Sequence, residues 1–327
     1  MSKFVAKFVI AACCAVLIAA AGAPTAAAQT RVTLKSAATN TAYYHMTVQI
    51  AEALKSATQG QIQATVEESQ GSVQNVKEAA KRPGAFIFTS PPGLVQSAVA
   101  GKKPFEGESG YDAIRALFVM PAITMHWVVR ADAGVRSFAD LAGKDFVAGG
   151  RGTFSERQTI AVFKLLGLEG KVKLVEVELA AAFNAVRNRQ VSGFATGSSH
   201  PTPNLQELAA GTPIRLLGLT AEQIELIRAE DPSAFGIVIP KGTYRGVDDD
   251  IRTISLPVGA YGTARMDDAT AHAITKTFWT SKAEMARANP WWSGVGADQI
   301  ALLGGKLHPG ASKYYAEAGI AVPDGMK

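Results

Sequence analysis

The sequence predicts an α/β protein made of two similar lobes, each a parallel sheet flanked by helices, joined twice so that the connections form a hinge. Three observations predict it. Short apolar runs alternate with helix-periodic segments in two successive series. An apolar run with proline and glycine, Thr253 to Thr263, follows the second series and is placed to lead the chain back to the first. The 327-residue length, less a short leader, suits two domains of ordinary size.

The first series opens with the strand Val32-Thr33-Leu34. A helix follows, with Tyr44, Thr47, Val48, Ala51 and Leu54 recurring on one face. Ile62 to Val66 alternates as a half-buried strand does, and a short helix over Val73 to Lys81 leads into Ala85-Phe86-Ile87-Phe88, whose uninterrupted apolar character fits a strand covered on both faces. A βαβαβ series of this kind predicts parallel strands with right-handed crossovers. The second series follows the strand His126 to Arg130. It comprises strands at Phe146 to Ala148, Val172 to Val177, Phe194 to Thr196 and Ile214 to Leu219, with helices over Arg157 to Leu166, Ala180 to Asn188 and Pro203 to Ala210. Alanine-rich helices over Asp268 to Ala288 and Ser312 to Ala318 then pack outside. The expected organisation is a leader over 1–28, a first lobe over 29–124, a second lobe over 125–252, and a hinge strand with C-terminal helices over 253–327 returning to the first lobe.

The leader carries Lys3 and Lys7 ahead of an uncharged apolar run from Phe8 to Gly22, then small residues at Ala26 and Ala28. That order reads as a cleavable export signal, with cleavage expected after Ala28 and the mature protein expected in the periplasm. The run is shorter than the roughly 20 residues of a membrane span. Ile10-Ala11-Ala12-Cys13 loosely fits lipoprotein processing but leaves too short an apolar stretch before the cysteine. Cys13 and Cys14 are the only cysteines, so the mature chain is expected to lack thiols, which excludes disulfides, thiolate zinc sites and cysteine nucleophiles. The formal charge is +5, and removal of Lys3 and Lys7 leaves +3. Lys and Arg are scattered without an aromatic-rich basic stripe, so nucleic acid is not an expected partner. No Gly-x-Ser-x-Gly elbow, His-Glu-x-x-His, complete P-loop or dinucleotide fingerprint occurs; Gly150-Arg151-Gly152 lacks its third glycine. The chain therefore reads as a binding protein rather than an enzyme, with no cofactor.

In open α/β sheets a ligand sits beyond the C-terminal ends of the strands, where helix N-termini present unpaired N–H groups. Four turns carry the right residues. After the first strand come Asn40 and Thr41, either a fitting N-cap, then Tyr43 and Tyr44. Adjacent helical positions cannot share a face; Tyr44 lies on the apolar stripe, so Tyr43 is the expected ligand contact. After the second strand come Gly71, Ser72 and Asn75, with Ser72 as expected N-cap. The third turn holds Arg151, Gly152, Thr153 and Ser155, with Thr153 and Glu156 at capping-box spacing. The fourth holds Ser198, Ser199 and His200, before Thr202 as N-cap and Pro203 at N1. Thr89 and Ser90 close the third strand. Helix N-termini facing one crevice favour an anion, and Arg151 adds a planar cation suited to a carboxylate; Arg151→Ala is expected to abolish ligand-induced stabilisation. His126 is expected to be buried and hydrogen-bonded, and Trp291 and Trp292 to serve lobe packing.

Through nearly all the mature chain the sequence resembles the TAXI class of solute-binding receptors of tripartite ATP-independent periplasmic (TRAP) transporters. The resemblance is carried by Asn40-Thr41-Ala42-Tyr43-Tyr44, Gly71-Ser72-Val73-Gln74-Asn75 and Asp140-Leu141-Ala142-Gly143-Lys144. It continues through His200-Pro201-Thr202-Pro203, Ile239-Pro240-Lys241-Gly242-Thr243-Tyr244, and Leu307-His308-Pro309-Gly310-Ala311 before Tyr314-Tyr315. It implies a two-lobed periplasmic-binding-protein fold of type II-like topology, a ligand such as glutamate, glutamine or an oxoacid, and integral-membrane permease subunits as partners; the receptor itself is expected to be a monomer. Where the family often carries glycines before its tyrosine pair, Gly-Ser-Gly-Thr in the second lobe and an acidic residue after the third strand, this chain has Ala37-Ala38-Thr39-Asn40, Gly150-Arg151-Gly152-Thr153 and Thr89-Ser90-Pro91-Pro92. These departures argue for a ligand more acidic than an amino acid. A ligand-sensing partner of a membrane sensor kinase would use the same cleft.

Overall fold

A computed structural model of the chain describes residues 29–327; the leader, with Lys3, Lys7, Cys13, Cys14 and the cleavage site after Ala28, lies outside the described residues. The first lobe is built on β1 (Thr30–Lys35), β2 (Ile62–Glu67) and β3 (Ala85–Ser90), with β1 central and parallel to both neighbours. Helices α1 (Ala42–Ala57) and α2 (Ser72–Ala79) make the crossovers. β3 is buried from Phe86 to Ser90, in keeping with its apolar sequence. A further helix, α3 (Pro92–Val99), starts with Pro92 in its first turn; the sequence does not announce it, because its short apolar run behind Pro91 has no helical period.

Two long strands then govern the architecture. β4 (Ile114–Arg130) and β10 (Ile251–Thr263) run antiparallel to each other. β4 pairs with β10 over 114–124 and with the second-lobe strands over 124–130, whereas β10 pairs with β9 (Phe235–Ile239) over 251–255 and with β3 over 259–261. Both strands thus belong to both lobes, and the sheet order is β2-β1-β3-β10-β4, continued by β7 (Gly193–Ser198), β5 (Asp145–Val147) and β6 (Lys173–Leu174). The segment His126–Arg130 read from sequence is only the second-lobe half of β4. A register shift between Leu256 and Val258, at Pro257, marks the crossover.

The second lobe adds β5 (Asp145–Val147), α4 (Phe154–Leu165), β6 (Lys173–Leu174), α5 (Leu179–Arg187), β7 (Gly193–Ser198), α6 (Pro203–Gly211), β8 (Ile214–Leu217) and α7 (Ala221–Glu230). The strand expected over Val172 to Val177 contracts to β6 because it is a sheet edge paired only with β5. One apolar cluster runs from Val32 and Phe88 through Trp127 to Phe146 and Phe163; a second, around Val128, Phe194, Leu205 and Tyr244, covers the other face of the second-lobe sheet. The C-terminal helices α8 (Asp268–Ala288) and α9 (Pro309–Glu317) pack on each other and against the first lobe. Among the described residues no helix is long and apolar enough to cross a membrane.

Candidate ligand-binding cleft

A cavity of about 540 Å³ lies where the two lobes face each other, with Ile123 of β4 and Val258 of β10 at its base. Its first-lobe wall is a network of turn residues after β1, β2 and β3. The Ser36 and Thr89 hydroxyls are 2.8 Å apart, and Ser69 Oγ donates to the Ser36 carbonyl at 2.9 Å while accepting from the Gly71 N–H at 3.1 Å. Behind them Asn75, 0% exposed, donates through Nδ2 to the carbonyls of Ser36 (2.6 Å) and Thr89 (3.0 Å). Asn75 therefore does not line the cavity; it ties two strand ends together so that Ser36 and Thr89 present a fixed pair.

Thr41 is the N-cap of α1, accepting from the Tyr44 N–H at 3.3 Å and donating to the Ala38 carbonyl at 2.7 Å. Tyr43 lines the cavity, and its hydroxyl donates to the Pro121 carbonyl of β4 at 2.5 Å; burial holds its pKa above the ordinary phenol value. The apolar stripe assigned to Tyr44 requires correction: Tyr43, with Met46, Ile50 and Leu54, is the buried face, and Tyr44 is half-buried. Ser72 is also corrected, from N-cap to first helical residue, because Gly71 takes the capping position at φ 114°, a conformation glycine adopts without steric cost.

The second-lobe wall is made by the N-termini of α4 and α5. Thr153 caps α4: its hydroxyl accepts from the Glu156 N–H at 3.1 Å and donates to the Gly149 carbonyl at 2.6 Å, while the Glu156 carboxylate accepts from Gly152 N–H at 2.7 Å. Ser155 Oγ accepts from Gly197 N–H of β7 at 2.8 Å, which leaves the Ser155 proton free to be donated. Gly149 and Gly150 let these parts approach. A Cβ on Gly149 would stand 2.5 Å from that of Ser155, and one on Gly150 would stand 2.6 Å from Leu179 N at the start of α5.

Of the residues read from sequence, the cavity thus gathers Asn40, Thr41, Tyr43, Gly71, Ser72, Thr89, Thr153 and Ser155. Ser90 is buried and donates to the Pro91 carbonyl at 3.0 Å. Arg151 is not brought in: its N–H is held by the Val177 carbonyl at 3.0 Å, and its side chain, 73% exposed, points to Glu176 at 4.0 Å. Gly152 stays on the turn beside it. The fourth turn is also not in the wall. Beyond β7 the chain passes to the other face of the hinge, where Ser199 Oγ donates to the Ala122 carbonyl at 2.8 Å and His200 Nδ1 lies 3.0 Å from Thr124 Oγ1. Ser198 is buried there with its hydroxyl unpartnered. Thr202 does precede Pro203 at the α6 start, but its hydroxyl donates to Asn204 Oδ1 at 2.8 Å rather than capping.

The N-terminus of α5, with Leu179 and Ala180, takes the place expected for the fourth turn. Its side chains are apolar and the groups it offers are main-chain N–H, which no side-chain pattern announces. Ser36, Ser69 and Gln70 also line the cavity, in the same turns as Asn40 and Gly71, where their hydroxyl and amide side chains are the signal in the sequence.

No Lys, Arg or His is among the lining residues; Glu68, exposed at the mouth, is the one carboxylate. The nearby cations are committed elsewhere. Lys35 Nζ is 2.8 Å from Glu78 and 3.7 Å from Glu67, and Arg82 grips Glu67 at 2.6 Å. His126 is buried, with Nδ1 3.0 Å from the Thr124 carbonyl and Nε2 2.9 Å from the Tyr244 hydroxyl. Burial first, and the charge of neighbouring His200 second, pushes its pKa down to about 3, so it is neutral at physiological pH.

Solved structures share this architecture at low sequence identity. MatC from Rhodopseudomonas palustris, with bound malate, matches with a TM-score of 0.57 at 12% identity, over 88% of this chain and 97% of that one. The periplasmic binding protein BugD matches with a TM-score of 0.56 at 12% identity, over 89% and 98%. A TRAP periplasmic solute-binding protein from Desulfovibrio salexigens DSM2638, in complex with diglycerolphosphate, matches with a TM-score of 0.51 at 13% identity, over 91% and 93%. The likeness establishes the two-lobed periplasmic-binding-protein fold. Residues 34–319 match the NMT1-like family across both lobes, and the chain belongs to that family.

Proposed function

We propose that this protein is a periplasmic solute-binding receptor of the TAXI class, which captures a small carboxylate-bearing ligand between its lobes and delivers it, as a monomer, to the membrane subunits of a TRAP-type transporter. The observation that carries this reading is the cavity of about 540 Å³ walled by two helix N-termini from each lobe, with the hydroxyls of Ser36, Thr89 and Ser155 between them. A ligand touching both walls binds the closed form better than the open one and so shifts the equilibrium toward closure. Malate in MatC is a carboxylate held in this fold and supports a carboxylate as ligand, though not its number of charges; diglycerolphosphate in the D. salexigens receptor is a small anion of another kind in the same fold.

The position of Arg151 changes the expected charge. One carboxylate is well served by main-chain N–H groups at helix N-termini. A second would enter a cleft with no cation and with Glu68 at its mouth, and a buried unpaired charge is costly. Ligands with a net charge of −1 or 0, such as a hydroxy-monocarboxylate or a zwitterionic amino acid, fit better than dicarboxylates, contrary to the more acidic ligand that the sequence departures suggest. In a thermal-shift screen a member of the first group at about 100 times its dissociation constant is expected to add about 2.7 kcal/mol of stability. Arg151→Ala should leave that shift unchanged. Stabilisation by dicarboxylates alone would overturn the charge assignment; stabilisation by no carboxylate would overturn the function.

A further inference from the structure

Behind the hinge, on the face opposite the cleft, lies a second recess of about 330 Å³. Strand alternation separates the two: Ile123 and Val258 line the cleft, whereas their neighbours Ala122, Thr124 and Pro257 line the recess. The recess is walled by both lobes. Phe235 comes from β9 of the second lobe, and Trp291 and Leu302 come from the C-terminal segment packed on the first. Phe235 and Leu302 are 38% and 51% exposed. Besides the bonds that Ser199 and His200 make to β4, a directed bond joins the C-terminal segment to the second-lobe turn here, from Trp291 Nε1 to the Pro201 carbonyl at 2.9 Å. Its neighbour Trp292 is a different case, fully buried in the first-lobe core and donating to Gln49 of α1 at 2.9 Å.

On the cleft side the lobes touch through another side chain. Arg157, one turn along α4 from the lining residue Phe154, donates through Nη2 to the Lys103 carbonyl of the first lobe at 3.3 Å. The two contacts lie on opposite sides of the strands about which the lobes turn. A rotation that closes the cleft shortens distances in front of those strands and lengthens them behind.

We propose that Trp291 is a latch that holds the open form: its bond to the second-lobe turn must be given up when the cleft closes, so it sets how much of the ligand's binding free energy goes into closure. Arg157 acts in the opposite sense. The latch is a positioning device, for Trp291 lines the recess and not the cleft. Its effect on affinity follows from the closed fraction alone, since a ligand that requires the closed form binds in proportion to the population of that form.

The described residues contain no cysteine, so spin labels on Gln63→Cys in β2 and Lys173→Cys in β6, exposed positions on the two end strands of the sheet, report lobe separation by pulsed electron paramagnetic resonance. Without ligand, Trp291→Phe, which keeps a ring and removes the N–H, is expected to raise the closed-to-open ratio about fivefold, the equivalent of one hydrogen bond. The mean distance shortens accordingly. Trp291→Ala should shorten it at least as far, and Arg157→Ala should lengthen it. Distance distributions for both Trp291 variants that superimpose on the parent's, or that move to longer values, would overturn the proposal. Because no ligand is present, the result is separate from the outcome of the ligand screen.

Discussion

A Gly150→Ala variant is expected to lose ligand binding and about 3 kcal/mol of stability. Gly150 stands at φ 82°, where an L side chain is strained by about 1–2 kcal/mol, and its Cβ would overlap Leu179 N at 2.6 Å and Leu179 Cα at 2.8 Å. Relief of an overlap against backbone typically costs a further 1–3 kcal/mol. The displaced element is the N-terminus of α5, so the cavity loses one wall while the second-lobe core beneath it is retained. Gly152→Ala provides the comparison. It has φ 71° but open space around the added methyl, so only the backbone cost of about 1 kcal/mol applies. Urea denaturation and calorimetric titration of both variants would check this; equal losses in the two would show that the approach to Leu179 has no special importance.

The second large effect is expected at Asn75. Asn75→Ala removes two donated bonds at once, leaving the Thr89 carbonyl without this partner and the Ser36 carbonyl with only Ser69 Oγ. Buried acceptors deprived of a donor cost about 1–3 kcal/mol each, so a loss of about 3 kcal/mol is expected. Affinity should fall as well, because the ends of β1 and β3 are no longer fixed and the Ser36 and Thr89 hydroxyls lose their spacing. Asn75→Asp keeps the shape but turns a donor into a carboxylate oxygen facing two carbonyls, and should be no better than alanine. A variant that melts like the wild type would show that Asn75 holds nothing in place.

Much of the architecture was legible because the sequence states it in burial. Ala85-Phe86-Ile87-Phe88 can only be a strand covered on both faces, and Thr253 to Thr263 is apolar enough to pass through the centre of a sheet, with Pro257 at the register shift. The cleft was partly legible, since turns that cap helices carry Thr41 and Thr153 by chemical necessity. What escaped has physical causes. Arg151 is polar in the right turn, but a turn residue has two sides and sequence does not say which one faces the ligand. The α1 stripe misled because that helix is buried over a broad arc, where Tyr43 and Thr47 belong inside together and a single stripe does not define the arc. The contribution of α5 was invisible because it is made by the main chain.

The sharing of β4 and β10 between the lobes has a consequence for how the protein is made. Ser90 of β3 finds its partner in Gly259, and Ile114 its partner in Thr263, so the first-lobe sheet cannot be finished until nearly the whole polypeptide is present. Such widely separated pairings make for slow folding. A chain synthesised from its N-terminus therefore carries β1 to β3 with an open sheet edge until its last quarter arrives, and stays pliable for as long as synthesis takes.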